Sequence, residues 1–513
     1  MKRLFTFLAI AAMTMPMFAL ERNIFASGLK SSATTDENKV EIEYILNAPA
    51  IALEVQFINA EGDVAASVAI ADADLMTAGA HKAVIDLAEV PGGSYKWAVK
   101  AQGAPNPAPD GEEDDPILEQ VNAKDDTTYI FYNPQGVVVD NSYESDHFGW
   151  LYVSDSMDGD TDGMTNTSKT QKRGLFIYDQ MMQFVYDQKN EGFLGGVNFR
   201  NGRQGMRRLE TDAEGYVYMC DNNVVDPVST GVWRMDPANP TEAFTEVLAV
   251  SKRDQIYTRA CSAVPAGSGN ELVLYLLDNM SRIARYPIGQ GMPYAEEPDS
   301  VIFADLGSFN LVNGESTMRA DTKGGFWIFQ YRGQLDGYPM MAHASRSGEV
   351  DWLMQLGMND DIAPATAYRG AGAVSIDGKY VALGGNKSVN LYEVTYKGSG
   401  DVKSITKVSD YFFPSLGTNI DGIAFDVANN IYVISASTEY MHVFAVPTVE
   451  NTFVTPAPSK YMIESKSASG LEDIVAGKSL KKGVYTVTGQ YLGETADNLP
   501  KGMYIINGEK VVK

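Results

Sequence analysis

The sequence predicts an all-β protein with an N-terminal β-sandwich, a six-bladed β-propeller and a small C-terminal β-domain. Short segments near the N-terminus alternate apolar and polar residues, which is the period of a half-buried strand. A strand–turn–strand pattern then recurs six times with similar spacing, as propeller blades do. Three short strand-like segments separated by Gly, Asn and Pro end the chain. These three observations carry the prediction.

Length and charge limit the possible functions. The chain has 513 residues, with 41 Lys and Arg against 66 Asp and Glu, so its net charge is −25. Single cores rarely exceed about 250–300 residues, so this length indicates several domains. Phosphate backbones repel so acidic a chain, which argues against a general nucleic-acid binder. Two cysteines exclude a disulfide framework and a multi-cysteine metal centre.

Residues 1–20 have the pattern of a secretory signal peptide. Lys2 and Arg3 precede an apolar stretch that starts at Leu4, and Ala19 is a small residue suited to cleavage. The apolar stretch is shorter than the roughly 20 residues that span a bilayer, and no later segment is long and apolar enough. We therefore expect an exported protein without a transmembrane segment.

Residues 38–104 contain the alternating segments KVEIEYIL, IALEVQFINAEGDVAA, HKAVIDL and GSYKWAVKA. Turn residues separate them, which predicts a small sandwich of the immunoglobulin type. The AEGD turn and the PGGSYKW end resemble the Ig-like domain of the flagellar hook-capping family. That resemblance implies a spacer or adhesion module without catalysis. Residues 105–126 follow as an acidic, Pro-rich linker.

Residues 127–456 hold the six repeated units. Equivalent positions in the second strand of each unit are 66, 57, 53, 53 and 52 residues apart; they are Tyr152, Tyr218, Tyr275, Ile328, Val381 and Val433. A ring of blades buries both faces of each sheet, and a seven-bladed ring is the alternative. The segments PQGVVVD, GWLYVSDS and IDGIAFDVANNIYVISAS resemble NHL-type and gluconolactonase-type propellers. The resemblance implies the fold and carries no function.

Residues 467–513 end in GVYTVTG, GMYIING and KVVK. Together with Leu499-Pro500-Lys501, these segments resemble the C-terminal sorting domain of type IX secretion cargo in Bacteroidota. The resemblance implies the type IX secretion machinery as a partner. It also implies an outer-membrane surface or extracellular location, with the periplasm as the alternative. An ordinary small β-module is the other interpretation of this tail.

Arginines recur near the start of the first strand in four units, where a propeller lines its central channel. They are Arg207, Arg208, Arg259, Arg319 and Arg369. Three polar residues at or just after the end of the second strand complete the candidate ligand-binding set: Asp221, Asp278 and Asn386. Guanidinium groups bind carboxylate, sulfate or phosphate bidentately, which predicts an anionic ligand such as an acidic glycan. The alternative is that Arg and Asp side chains of adjacent blades pair as structural bridges.

Asp158, Asp160 and Asp162 precede Gly163 and match the first half of a D-x-D-x-D-G calcium loop. Asn166 occupies a weaker ligand position, but Lys169 replaces the closing Glu. The pattern predicts a structural Ca²⁺ site, and a solvated acidic loop is the alternative. Cys220 and Cys261 lie in neighbouring units and either form a disulfide or remain buried thiols.

The sequence gives little indication of catalysis. The four histidines form no HExxH pair, and no G-x-S-x-G segment is present. Gluconolactonase-type enzymes hold an axial metal through Glu, Asn and Asp, and those ligands cannot be matched one by one here. Trp150, Trp233, Trp327 and Tyr331 could stack on sugars or fill blade cores.

These observations predict a non-catalytic, exported binding protein that uses the propeller face or channel for a glycan or protein partner. The alternatives are a metal-dependent lactonase-like or glycan-degrading enzyme, and a structural surface scaffold.

Overall fold

The fold is known from a computed structural model that describes most of the chain. The described residues are 22–106, 129–131, 133–155, 174–188, 191–197, 206–221, 231–248, 260–278, 282–289, 298–303, 306–309, 311, 316–333, 337–364, 367, 369–412, 419–436, 440–466, 484–486, 491–493, 503–506 and 509–512. Strands and three short 3₁₀ helices (Ala73–Met76, Gly269–Glu271 and Leu306–Phe309) make up their regular structure. The all-β prediction is confirmed.

The N-terminal unit is a sandwich of two antiparallel sheets. The first sheet has the order β1 (Ala26–Ala33), β2 (Lys39–Leu46), β5 (Gly79–Asp86). The second has the order β29 (Thr452–Pro456), β6 (Gly93–Gln102), β3 (Ala52–Ile58), β4 (Val64–Ala69), and β30 (Ile463–Ser465) also pairs with β6. Alternate side chains of both sheets form one core, in which Tyr44, Phe57 and Trp97 are the largest fully buried residues.

The sandwich extends beyond the segment in which its strands were expected. It begins at Ala26 rather than near residue 38, and it takes β29 from a segment that the sequence assigns to the propeller. The propeller is therefore inserted into the sandwich between β6 and β29. The sequence ASGLKSSA of β1 lacks the branched and aromatic residues typical of strands, so its pairing with β2 decides its structure.

Six sheets follow one another in the described part of residues 134–445, which confirms the six-bladed propeller. Blades 2 to 5 each have four antiparallel strands in chain order. Blade 2 has β10 (Met206–Thr211), β11 (Val217–Asp221), β12 (Gly231–Met235) and β13 (Thr245–Leu248). Blade 3 has β14 (Ala260–Ala266), β15 (Val273–Asp278), β16 (Ile283–Pro287) and β17 (Ser300–Phe303).

Blade 4 has β18 (Thr317–Ala320), β19 (Phe326–Phe329), β20 (Met341–Ala344) and β21 (Val350–Met354). Blade 5 has β22 (Gly372–Val374), β23 (Tyr380–Gly384), β24 (Ser388–Tyr396) and β25 (Val402–Phe412). Blade 1 has three strands, β7 (Pro134–Val139), β8 (Leu151–Asp155) and β9 (Gly174–Tyr178). Blade 6 also has three, β26 (Gly422–Phe425), β27 (Asn430–Ser435) and β28 (Tyr440–Ala445).

The ring is closed by the segment that precedes blade 1. Ile130 forms an antiparallel bridge with Tyr440 and so extends blade 6 on its outer edge. Phe131 is fully buried, and its ring packs edge-on against Phe176 of blade 1 at 5.6 Å. One core cluster contains side chains from both blades. The first and last blades are thus joined by apolar packing as well as by strand pairing.

A carboxylate holds the turn between the first two strands in several blades. In blade 2, Oδ1 of Asp212 accepts hydrogen bonds from the backbone N–H groups of Glu214 and Tyr216, both at 3.0 Å. Its Oδ2 accepts a 3.0 Å hydrogen bond from the Tyr218 hydroxyl. Asp426 repeats this arrangement in blade 6. These bonds satisfy backbone donors that the tight turn would otherwise leave without partners.

The sandwich docks on turns of blades 6 and 1 at this end of the propeller. The Asn23 backbone N–H donates to Oδ1 of Asn430 at 2.7 Å, and the Asn23 side chain donates to the carbonyl oxygen of Val446 at 2.9 Å. Phe25 and Phe148 pack edge to face in a small apolar cluster beside these bonds. Residues close to the start of the described chain therefore fix the two units to each other.

The C-terminal residues form a separate antiparallel sheet. Its order is β32 (Tyr491–Gly493), β31 (Val484–Thr486), β33 (Met503–Ile506), β34 (Glu509–Val512). The three strands expected in this region correspond to β31, β33 and β34, and β32 is an addition. In the described part of the chain, no helix is both long and apolar enough to cross a membrane.

Candidate functional site

Charged residues meet where the first strands of the blades begin, an end of the propeller axis that we call the mouth. Arg207 and Arg208 lie on β10, Arg369 lies shortly before β22, and Asp421 directly precedes β26. Nε of Arg369 is 3.4 Å from Oδ1 of Asp421. Burial raises the pKa of Asp421, while the charges of Arg369, Arg207 and Arg208 act in the opposite direction. The charges of three guanidinium groups therefore act on one buried carboxylate, and Arg369 is the one whose contact with it is closest to a salt bridge.

Arg208 joins four blades through backbone carbonyl groups. Its Nη1 donates to the carbonyl oxygens of Gln135 at 2.9 Å and Asp421 at 2.7 Å. Its Nη2 donates to the carbonyl oxygen of Arg369 at 2.8 Å. The side chain thus reaches from blade 2 to blades 1, 6 and 5, and the residue is only 4% exposed. Hydrogen bonds from a charged donor to buried carbonyls make this a strong structural contact.

Arg319 makes a second crossing of the axis, farther from the mouth. From β18 its Nη1 donates to the carbonyl oxygen of Leu209 at 2.9 Å and pairs with the Glu210 carboxylate. Its Nη2 donates to the carbonyl oxygen of Val137 at 3.4 Å. Val137 lies two residues beyond Gln135 on β7, a step of about 7 Å along a strand. Two guanidinium groups therefore bridge different blades across the axis at two levels.

Glu210 is the carboxylate partner at this inner level. Burial raises its pKa, and the charge and hydrogen bond of Arg319 counteract part of that effect. A buried ion pair of this kind is costly to break, because the remaining charge would be left without compensation. The Arg319–Glu210 pair therefore has the geometry of a structural bridge between blades 4 and 2.

The other predicted ligand-binding residues lie at the same end of their own blades or outside the description. Oδ2 of Asp278 accepts a 2.5 Å hydrogen bond from Nε of Arg282 in its own blade. Asn386 is exposed in the turn that follows β23. Arg259 lies outside the described residues, as does the side chain of Asp221, which ends β11.

The predicted calcium loop, with Asp158, Asp160, Asp162 and Asn166, also lies outside the described residues. Among the residues that the structure does describe, no group of three or more His, Cys, Asp or Glu side chains is placed to hold a metal ion. The calcium site is therefore neither placed nor tested by the structure.

Sequence reasoning missed Asp421 and Glu210. Asp421 directly precedes the first strand of the sixth unit, a region in which four other units carry arginine. The change from a positive to a negative residue in this region of the sixth unit was the sequence signal for Asp421. Glu210 alternates with Arg208 on β10 and therefore shares its face of the strand. Its partner Arg319 is 109 residues away, and only the ring geometry brings the two together.

Several candidate stacking and redox residues belong to blade cores. Trp327 is fully buried, and its Nε1 donates to the Tyr396 hydroxyl at 2.9 Å. Trp150 and Trp233 are partly buried against the core shared by blades 1 and 2. Cys220 and Cys261 are both buried, and the structure does not join them by a disulfide.

His343 of blade 4 lies between two carboxylates and is completely buried. Its Nε2 is 2.5 Å from Oδ2 of Asp321, and its Nδ1 is 2.6 Å from Oδ1 of Asp351. Burial alone would lower the pKa of His343, but the hydrogen bonds and charges of the two carboxylates raise it above its ordinary value. The backbone N–H of Val402 donates to Asp351 at 2.6 Å, so the group ties blade 4 to blade 5.

Comparisons with known proteins give a distant likeness only. No family model matches the chain, and no curated protein matches it. One similar solved structure is a calcium-binding protein, regucalcin, from Agrobacterium tumefaciens strain C58, with 10% identity, a TM-score of 0.35, and coverage of 63% of this chain and 92% of that chain. Another is BBS1N in complex with ARL6DN, with 10% identity, a TM-score of 0.33, and coverage of 66% and 99%. A likeness at this level carries no argument about ligand or chemistry.

Proposed function

We propose that the protein is an exported, non-catalytic binding protein whose propeller mouth recognises an anionic, carboxylate-bearing ligand such as an acidic glycan. The observation that carries this proposal is the grouping of Arg207, Arg208 and Arg369 around the buried residue Asp421, with Arg208 on its backbone carbonyl and Arg369 3.4 Å from its carboxylate. Asp155, at the same end of blade 1, adds one more negative charge. The cluster gathers three arginines in a chain whose net charge is −25. Guanidinium groups gathered in this way attract anions to one place.

Arg369 is the residue of the cluster best placed to meet a ligand. Its side chain is 23% exposed, whereas Arg207 and Arg208 are buried as whole residues. A planar guanidinium group matches a ligand carboxylate bidentately. Arg208 and Arg319, by contrast, hold the blades together beneath it.

The acidic residues near the axis are paired with arginines, an arrangement that favours an anionic ligand over a metal ion. Three carboxylates are each paired with a guanidinium group: Glu210 with Arg319, Asp278 with Arg282, and Asp421 with Arg369. A divalent cation would have to displace these positive groups and would be repelled by them. The described donor set therefore supports a metal-dependent lactonase-like enzyme less than it supports anion binding. A surface scaffold remains the alternative in which the mouth binds nothing.

Isothermal titration of the full chain with oligogalacturonate, and with a neutral oligosaccharide of equal length, tests the mouth site. We expect binding of the acidic oligosaccharide and a loss of about tenfold or more in affinity for Arg369→Ala, because one charge-assisted contact is removed. Arg285→Ala is the matched control, since it removes an arginine with an exposed ion pair in blade 3. Absence of binding to the wild type, or equal affinity of Arg369→Ala and the control, contradicts the proposal.

A structural Ca²⁺ ion in the loop of Asp158, Asp160, Asp162 and Asn166 belongs to the same proposal. The alternate carboxylates followed by Gly163 support it. Titration of the full chain with millimolar Ca²⁺, compared with Asp160→Asn, tests it. Export and surface attachment through the C-terminal tail are supported by the signal-peptide pattern and by the tail resemblance. Cell fractionation with and without residues 467–513 tests that location.

A further inference from the structure

A cavity lies where the sandwich meets blades 5 and 6. Its volume is about 350 Å³, within the roughly 300–1,000 Å³ of small-molecule sites. One wall is the turn of blade 5 that carries Asp377 and Lys379, and another is the turn of blade 6 around Asn429. The segment from Val446 to Phe453, which leads back into the sandwich, forms the third wall. This cleft is at the other end of the propeller from the mouth.

The walls of the cleft are fixed by hydrogen bonds. Thr448 and Asn106 exchange two backbone hydrogen bonds, at 2.6 and 2.8 Å. The Asn451 side chain accepts from the Ile24 N–H at 2.8 Å and donates to the Ala104 carbonyl oxygen at 2.8 Å. Because these contacts already hold the third wall against the sandwich, a ligand need not order that wall.

Polar groups of both signs line the cleft. The Asn429 amide donates to Oδ2 of Asp377 at 3.3 Å, across the gap between blades 6 and 5. Asn429 has a left-handed backbone with φ of 63°, a conformation that Asn adopts more readily than most residues. Lys379 contributes an ammonium group, and exposed Glu450 contributes a carboxylate from the opposite wall. The cleft thus offers hydrogen-bond donors and acceptors close together.

Two aromatic rings complete the lining. Tyr380 and Phe453 are partly buried, and both border the cleft. The Lys379 ammonium lies 4.9 Å from the centre of the Tyr380 ring. An amphipathic ligand that has both hydroxyl groups and an apolar ring face would match this combination of polar groups and rings.

We propose that this cleft is a second ligand site, which binds a neutral saccharide unit. The two carboxylates of Asp377 and Glu450 outnumber the single ammonium of Lys379, so the lining disfavours an anion. Hydroxyl groups can donate to these carboxylates and accept from Lys379 and Asn429. The site does not depend on the arginines of the mouth.

Saturation-transfer NMR and isothermal titration of the full chain test this site, with maltose and glucose as probes and glucuronate as the anionic comparison. We expect maltose to bind more tightly than glucuronate. Lys379→Ala and Asn429→Gly should each weaken maltose binding about tenfold, because each removes a polar contact. Glycine accepts the left-handed backbone at position 429, so that variant keeps the turn.

Lys323→Ala is the matched control, since Lys323 lies exposed in the corresponding turn of blade 4, outside the cleft. Unchanged maltose affinity in Lys323→Ala together with weakened binding in the two cleft variants supports the proposal. No binding of either neutral sugar, or binding that neither cleft variant weakens, overturns it. Arg369→Ala should leave maltose binding intact, so failure at the mouth and failure at the cleft are separate outcomes.

Discussion

Arg208 donates a 2.7 Å hydrogen bond to the backbone carbonyl oxygen of Asp421, a residue 213 positions later in the chain. The same guanidinium group reaches the carbonyl oxygens of Gln135 and Arg369, so a single side chain connects four blades. Local pairing within each blade cannot supply such a connection. The propeller is therefore held at its axis by side-chain donors as well as at its closure by apolar packing.

Replacing Arg208 should destabilise the propeller strongly. Arg208→Ala leaves three buried carbonyl oxygens without this donor, and each such loss costs about 1–3 kcal/mol. We expect a fall of about 3 kcal/mol or more in the free energy of unfolding, seen as a lower urea midpoint. Arg285→Ala should change it by less than about 1 kcal/mol, because its ion pair is exposed. Equal midpoints for the two variants would show that Arg208 does not join the blades.

Asp421→Asn separates ligand recognition from structural support at the mouth. The substitution removes the carboxylate that competes for Arg369, while an amide oxygen can still accept from the Ala436 N–H that now donates to Asp421 at 2.7 Å. We therefore expect oligogalacturonate to bind several-fold more tightly to Asp421→Asn than to the wild type. Titration calorimetry at low and high salt measures this, and the gain should shrink as salt screens the charges. A weaker complex at low salt would mean that the pair itself is needed for binding.

Stability should increase as the pH falls from about 8 to about 5. Burial raises the pKa of Asp140 to about 7, against the hydrogen bonds from Ser145 and Ser142, and burial raises the pKa of Asp212 and Asp426 to about 6. These folded-state values exceed the ordinary value of an aspartate, so the folded protein binds more protons in this window. His343 acts in the same direction, because its raised pKa contributes stability that is lost at higher pH.

Thermal unfolding of the wild type and Asp140→Asn at pH 5 and pH 8 measures this dependence. The asparagine cannot ionise, so the variant should lose part of the pH dependence and be relatively more stable at pH 8. Asp63→Asn, at an exposed position, is the control and should follow the wild type. A melting temperature of the wild type that rises from pH 5 to pH 8 would contradict the expectation.

The strands and the repeat could be predicted because their signals are local. Tyr152, Tyr218 and Val433 mark the second strands of their blades, and each lies within a strand of the structure. The insertion of the propeller into the sandwich could not be predicted in this way. The segment TFVTP of β29 has the same pattern as one more blade strand, and only its partner β6 shows that it belongs to the sandwich.

The candidate site was predictable in its residue types and not in its arrangement. Arginine at the start of a first strand places a positive charge near the axis. Whether that side chain remains at the mouth, as in Arg369, or crosses to other blades, as in Arg319, depends on carbonyl groups that are far away in sequence. The cleft beside the sandwich carries no motif, because its three walls come from segments with no common pattern.

The insertion between β6 and β29 determines how a mechanical pull would travel through the molecule. The two strands that flank the propeller in the chain, β6 and β29, pair with each other in one sheet. Strand β30 also pairs with β6. A force applied between residues 22 and 466 loads these paired sandwich strands before it can stretch the chain of the propeller. It also loads the contacts of Asn23 with Asn430 and Val446, so blade 6 bears part of the force where the sandwich docks on it.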